Sequence, residues 1–184
     1  DFWKTTGRTG WYDESFVRAA KAIVSLWKTE QRHAEQSPYY FERTDCPPSD
    51  TLLNNGKGSP VAYTGMTWSG FRPSDDACRY GYLIPSNFFA VKALERMEEI
   101  YDILDSDAAF VEEIKKLKAQ IKEGLKTYAT VEHKDYGKIY AYETDGLGNY
   151  NLMDDANVPS LLSLPYLGCV DLHDPVYRNT RRLI

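Results

Sequence analysis

Apolar residues recur at helical spacing along three stretches of this chain and lose that order between them. Phe16, Ala19, Ala20, Ile23, Val24 and Trp27 fall on one face of a helix predicted over Ser15–Trp27. Ser86 is a candidate cap for a second helix running to about Asp102, with Phe89, Ala93, Leu94, Met97, Ile100 and Tyr101 along one side. Ser106 and Asp107 offer caps for a third, whose stripe is Phe110, Ile114, Leu117, Ile121, Leu125 and Tyr128. Its charged residues, among them Glu112, Glu113, Lys115, Lys116 and Lys118, read as a solvated face with pairing one turn apart. The link between the second and third helices is short, so an antiparallel hairpin is expected.

The intervening segments are irregular. From Ser37 to Ser74 prolines and glycines interrupt every period, and a loop of that length in a compact domain is often functional. Tyr136–Tyr150 alternates through Ile139, Tyr140, Ala141 and Tyr142, which predicts a short strand or extended loop ending in an Asp145-Gly146 turn. In Asn151–Gly168 an Asp-Asp pair leads into an expected short apolar helix, and the remaining chain carries Arg178, Arg181 and Arg182. The expected class is all-α, with helical hairpins joined by long loops that hold the polar residues, as in an α/α barrel.

Composition narrows the chemistry. The 184 residues suffice for one domain or part of a larger one, and 42 % hydrophobic residues suffice for a core. A net charge of -5 gives no general attraction to nucleic acid. No apolar run is long enough for a membrane-spanning helix. No signal peptide is evident, but the first residue is Asp1 and not Met, so this says nothing about compartment. Cys46, Cys78 and Cys169 are odd in number and form no CxxC pair, which argues against a disulfide framework, a zinc site or a thiol nucleophile. His33, His133 and His173 make no metal motif, and Asn54–Gly58 lacks the strand and the Lys-Ser/Thr ending of a phosphate loop. Neither metal nor cofactor is expected. The 14 Tyr, 4 Trp and 7 Phe suit either an aromatic core or the C–H faces of sugars.

The densest candidate chemistry lies in Gly65–Phe89, GMTWSGFRPSDDACRYGYLIPSNFF, where Trp68, Arg72, Asp75 and Asp76 crowd together. Both Asp75-Asp76 and Asp154-Asp155 precede a predicted helix, where a carboxylate serves as a cap. Adjacent carboxylates also favour one protonated acid beside an ionised partner, the division of labour that glycosidases need. Spacing leaves both readings open, including a pairing of Asp75 or Asp76 with Asp154 or Asp155 as acid and base.

The strings TGMTWSGFRPSDDACRYGYLIPSN, DGLGN and NLMDDANVPSLLSLPYLG closely resemble glycoside hydrolase family 125, the exo-acting α-1,6-mannosidases, from about Arg43 onward. The resemblance implies an (α/α)6 barrel, of which residues 1–184 would form roughly half of a single catalytic domain completed by further segments of the protein. It also implies an inverting, metal-independent mechanism without cofactor, and a mannose-containing oligosaccharide as the partner. The family's general acid maps to the RPSDD string, as Asp75 or Asp76 with Asp75 preferred, and its base is a glutamate outside this chain. Trp68 and Arg72 would shape the pocket, while Asp154, Asp155 and Asn157 would bind hydroxyls or hold the site together. A glycan-binding piece without catalysis, and a barrel enzyme for another hexose, are the alternatives.

Overall fold

The computed structural model describes residues 2–104 and 107–184. Its helices are α1 (Phe2–Thr6), α2 (Glu14–Glu30), α3 (Ile84–Leu104), α4 (Ala108–Tyr128) and α5 (Pro175–Leu183), with single helical turns elsewhere. Short strands are β1 (Tyr82–Leu83), β2 (Thr130–His133), β3 (Gly137–Tyr140), β4 (Glu143–Thr144) and β5 (Tyr150–Asn151).

α2 starts where Asp13 accepts hydrogen bonds from the amides of Ser15 (2.9 Å) and Phe16 (3.0 Å). It buries Ala20 and Val24, while Ile23, expected on the inner face, is at the surface with Leu26. α3 grows directly out of β1 with Pro85 in its first turn, where a missing N–H costs nothing, so the expected Ser86 cap is not used. Its inner face is Asn87, Ala90, Val91, Leu94, Ile100 and Tyr101; Phe89, expected among them, is 44 % exposed. Asp107 caps α4 through the Phe110 amide (3.1 Å), and Ser106, the alternative cap, lies outside the described residues.

The α3–α4 pair is the antiparallel hairpin expected. Tyr101 meets Phe110 edge to face, Glu98 pairs with Lys118, and Glu95 pairs with Lys122 at 2.9 Å, so contacts run backwards along one helix as they run forwards along the other. Val24 of α2, Leu94 and Tyr101 of α3, and Ile114, Leu117 and Ile121 of α4 form the main core.

Around this helical body sit two small antiparallel sheets. In one, β4 lies between β1 and β5, pairing Leu83 with Glu143 and Glu143 with Asn151. The other is the β2–β3 hairpin, which carries α5: Thr180 Oγ1 accepts from the Tyr140 amide at 2.8 Å. The alternating segment is therefore strand in two pieces. The helix expected within Asn151–Gly168 is absent; the chain instead makes successive turns punctuated by Pro159 and Pro165.

The polar loop that follows Tyr63 lies directly on α4. A Cβ added at Gly124 would stand 2.5 Å from the Thr64 carbonyl oxygen and 2.8 Å from Met66 Cγ. Alanine gains up to about 1 kcal/mol over glycine inside a helix, but an overpacked contact with backbone costs about 1–3 kcal/mol. Gly124→Ala is accordingly expected to lower the midpoint of urea unfolding; a stabilised variant would contradict this packing.

Candidate active site

The loop from Thr64 to Gly81 has almost no regular structure and is nonetheless tied down at nearly every step. Gln31 Nε2 donates to the Gly65 carbonyl (2.5 Å), and the Trp68 amide donates to Glu30 O (3.2 Å), which fixes the loop to the end of α2. Asn87, wholly buried at the start of α3, accepts from the Thr67 amide (2.9 Å) and donates to the Thr67 and Leu83 carbonyls (both 3.0 Å). A buried amide with these partners behaves like one rung of backbone, and it clips loop to helix.

Beyond Trp68 the loop turns back on itself as a tight hairpin. Cys78 N donates to Gly70 O and Arg72 N to Asp76 O, each at 2.8 Å, and Phe71 bridges Ala77. Asp75 is at the tip, exposed, in a left-handed conformation (φ 68°) that aspartate tolerates better than most residues. Asp76 follows, half-buried, and accepts from Ser74 Oγ at 3.3 Å. Neither aspartate stands at a helix N-terminus, so capping does not explain this pair.

The root of the hairpin is held by a residue that sequence inspection passed over. Glu143, on β4, is fully buried. It accepts from Arg72 Nε (2.6 Å), from the amides of Arg79 (3.0 Å) and Tyr80 (3.1 Å), and from Asn151 Nδ2 (3.3 Å). Desolvating a carboxylate and a guanidinium is costly, and the ion pair offsets that cost only when the remaining lone pairs are also satisfied, as they are here. The signal in the sequence is a lone charged residue following an apolar alternating run. The neighbouring Cys78 thiol is raised far above its ordinary range, by burial first and then by Glu143, and is inert as a nucleophile.

Asp155 arrives at the same place from the other segment. Burial opposes its ionisation. The Asn157 amide (2.9 Å), the Ser74 and Tyr142 hydroxyls and the Arg72 charge outweigh burial and hold its carboxyl below the usual carboxylate range. Among the described residues the buried Tyr142 hydroxyl has no partner at ordinary hydrogen-bond geometry, yet it is near enough to Asp155 for each group to bias the other's ionisation: burial, then Asp155, raises the phenol. The Arg72 guanidinium lies over the Tyr142 ring, 5.8 Å from its centroid. Arg72, Ser74, Asp76, Tyr142 and Asp155 thus form one cluster with Glu143 beneath it.

Other expected site residues are placed elsewhere. Asp154 accepts from the amides of Leu161 (2.7 Å) and Leu162 (2.9 Å), capping the turns that follow; burial raises its carboxyl above the usual range. Asn157 is exposed and meets the cluster only through its backbone. Trp68 is 7 % exposed and lies behind the loop, stacked on His33 with ring centroids 3.5 Å apart. His33, also missed, places Nδ1 2.6 Å from Glu30 Oε2 and Nε2 2.9 Å from Lys57 O.

An open cavity of about 570 Å³ lies along the hairpin, lined by Tyr39, Phe41, Arg43, Asp50, Phe71, Ser74, Asp75 and Asp76. A smaller one of about 370 Å³ between α3, α4 and β3 is walled by Lys92, Lys122, Lys126 and Lys138. Its only carboxylate, Glu95, is already paired with Lys122 and Lys92. Carboxyl chemistry therefore belongs to the first. Among the described residues no cluster of His, Cys, Asp and Glu is gathered as a metal ion would require.

The family described as metal-independent alpha-mannosidase (GH125) matches residues 1–184. This chain belongs to glycoside hydrolase family 125. A solved family-125 structure, the Streptococcus pneumoniae α-mannosidase in a non-productive complex with α-1,6-mannobiose, is 51 % identical and superimposes with a TM-score of 0.96. That match covers 99 % of this chain and 43 % of the pneumococcal one. The meiotically up-regulated gene 157 protein of Schizosaccharomyces pombe is 36 % identical over 203 residues, covering 100 % of this chain and 38 % of that protein. The chain thus spans about two-fifths of each relative's length. Its helical body is part of the family-125 α/α barrel, and the Asp75–Asp76 hairpin sits at one of its long loops.

Removing charge from Glu143 takes from the half-buried Arg72 the carboxylate it is hydrogen-bonded to, leaving only Asp155 as a nearby negative charge. Glu143→Gln is expected to cost about 3–5 kcal/mol, measured by chemical unfolding; a variant within about 0.5 kcal/mol of the parent would show that the pair does not hold the loop.

Proposed function

We propose that the protein is an exo-acting α-mannosidase that removes terminal α-1,6-linked mannose from mannose-containing oligosaccharides by an inverting acid/base mechanism. The observation that carries this reading is the open cleft beside Asp75 and Asp76 in a chain that belongs to family 125. Residues 1–184 act within a single catalytic domain that further segments complete. The α-1,6-mannobiose held by the pneumococcal relative supports the choice of linkage.

In this mechanism the hairpin supplies the acid. One aspartate of the pair, Asp75 at the tip in the preferred assignment, donates its proton to the glycosidic oxygen as the bond to the anomeric carbon breaks. The other binds a sugar hydroxyl. A carboxylate across the ring, contributed from outside these residues, removes a proton from the attacking water; the two stand about 6.5–9.5 Å apart to admit it. Arg72, pinned by Glu143, sets the position of the hairpin. Asp155, whose carboxyl is held below the usual range, and Asn157 would hold hydroxyls or the loop, and Trp68 backs the loop from within the core.

Replacing the acid removes proton donation but not a packing group. Asp75→Asn or Asp76→Asn, introduced into the whole protein, is expected to lower kcat by about 10²–10⁴-fold with an unchanged thermal transition; full activity in both would overturn the assignment. Inversion makes a distinct demand on the product. Proton NMR of the earliest turnover should show β-mannose, and α-mannose appearing first would exclude the mechanism.

A further inference from the structure

The cavity of about 370 Å³ shares no residue with the cleft at Asp75 and Asp76, and regular periodicity assembles it. Phe88, Val91, Lys92 and Glu95 recur at three- and four-residue steps along α3, so they lie on one of its faces. Lys122, Leu125 and Lys126 do the same on α4. Lys138 and Tyr140 are alternate residues of β3 and share a face of the strand. Cys169 and Val176 of α5 complete the wall.

The floor of this cavity is apolar and uncharged. Val91 and Leu125 are buried, and Phe88 meets Tyr140 edge to face with centroids 5.3 Å apart. Burial raises the Cys169 thiol to about 11, so at neutral pH it is a small hydrophobe. Burial, and then the charge of Asp174, raise the Tyr140 phenol to about 12. Asp174 itself caps α5 through the Tyr177 amide at 2.8 Å.

The rim, by contrast, is cationic. Four lysines stand against one carboxylate, Glu95, which already meets Lys122 at 2.9 Å and Lys92 at 3.7 Å. Lys126 has only Glu123, 3.7 Å away and outside the cavity. Lys138 makes no ion pair among the described residues. In a chain of net charge -5 these four like charges are gathered round one small volume, where they repel each other and attract an anion.

We infer that this cavity binds a small organic carboxylate with an apolar body, its head meeting Lys126 and Lys138 and its body lying on Phe88, Val91 and Leu125. Glu95 shows how a carboxylate seats among these ammonium groups, and compact point charges suit a compact anionic head. The volume is that of a small-molecule site. A neutral mannoside gains nothing from the lysines, so this site is separate from the mannosidase reading and does not depend on it.

Octanoate and octan-1-ol share a body and differ in the head. Titrated calorimetrically into the whole protein at low salt, octanoate is expected to bind with a Kd of about 0.1–1 mM. The alcohol should bind at least about tenfold more weakly. Lys126→Gln combined with Lys138→Gln should weaken octanoate about tenfold, with the thermal transition in place because both side chains are exposed. Lys116→Gln combined with Lys134→Gln removes equal charge outside the cavity and should leave octanoate binding unchanged. Failure of octanoate to bind, equal affinity for acid and alcohol, or equal losses in the two double variants would overturn the site.

Discussion

The pairing of Glu143 with Arg72 is the constraint on which the rest of the site depends. A carboxylate with no access to water must find donors for its lone pairs, and here every donor comes from a segment that builds the site. The guanidinium and two amides belong to the hairpin, the carboxamide to β5, and the acceptor to β4. The register of β4 with β5, which sets Glu143 opposite Asn151, is thereby joined to the position of Asp75 and Asp76. Three strands of two residues each would be a weak sheet alone. With the ion pair at its centre, it becomes the point where two distant parts of the sequence are locked together.

A second anchorage works from the side of α2. The Glu30 carboxylate accepts from Ser37 Oγ at 2.6 Å and faces the His33 ring, which stacks on Trp68. Both nitrogens of His33 face acceptors, so the ring is held in one plane and Trp68 with it. Glycines make room: a Cβ at Gly81 would sit 2.0 Å from Trp68 Nε1, and one at Gly58 2.7 Å from Cζ2. The hairpin of Asp75 and Asp76 and the segment bearing Tyr39 are two faces of one framework, braced from below by charge and from behind by stacked rings.

The helices were legible because packing against a core imposes a period on each, and Asp13 and Asp107 show the chemistry of their caps. Boundaries and facing were harder to read. Phe89 fits a helical stripe on spacing, but Asn87 takes the inner position because it must reach Thr67, and the helix is rotated to suit. The helix expected after Asp154 gave way to turns because prolines interrupt it and Asp154 satisfies the exposed amides directly. The motif-bearing residues Arg72, Asp75 and Asp76 were visible in one string. Glu143 and His33 were not, since each acquires its role from a residue tens of positions away, and such partners leave no local pattern.

Trp68 and Tyr39 illustrate how this framework divides freedom of variation. The inner ring touches glycine positions, a histidine and the end of α2, so almost any replacement disturbs several segments together. The outer ring rests on it and faces solvent. Replacing the outer ring therefore changes mainly surface, whereas replacing the inner one loosens the joint between the end of α2 and the loop.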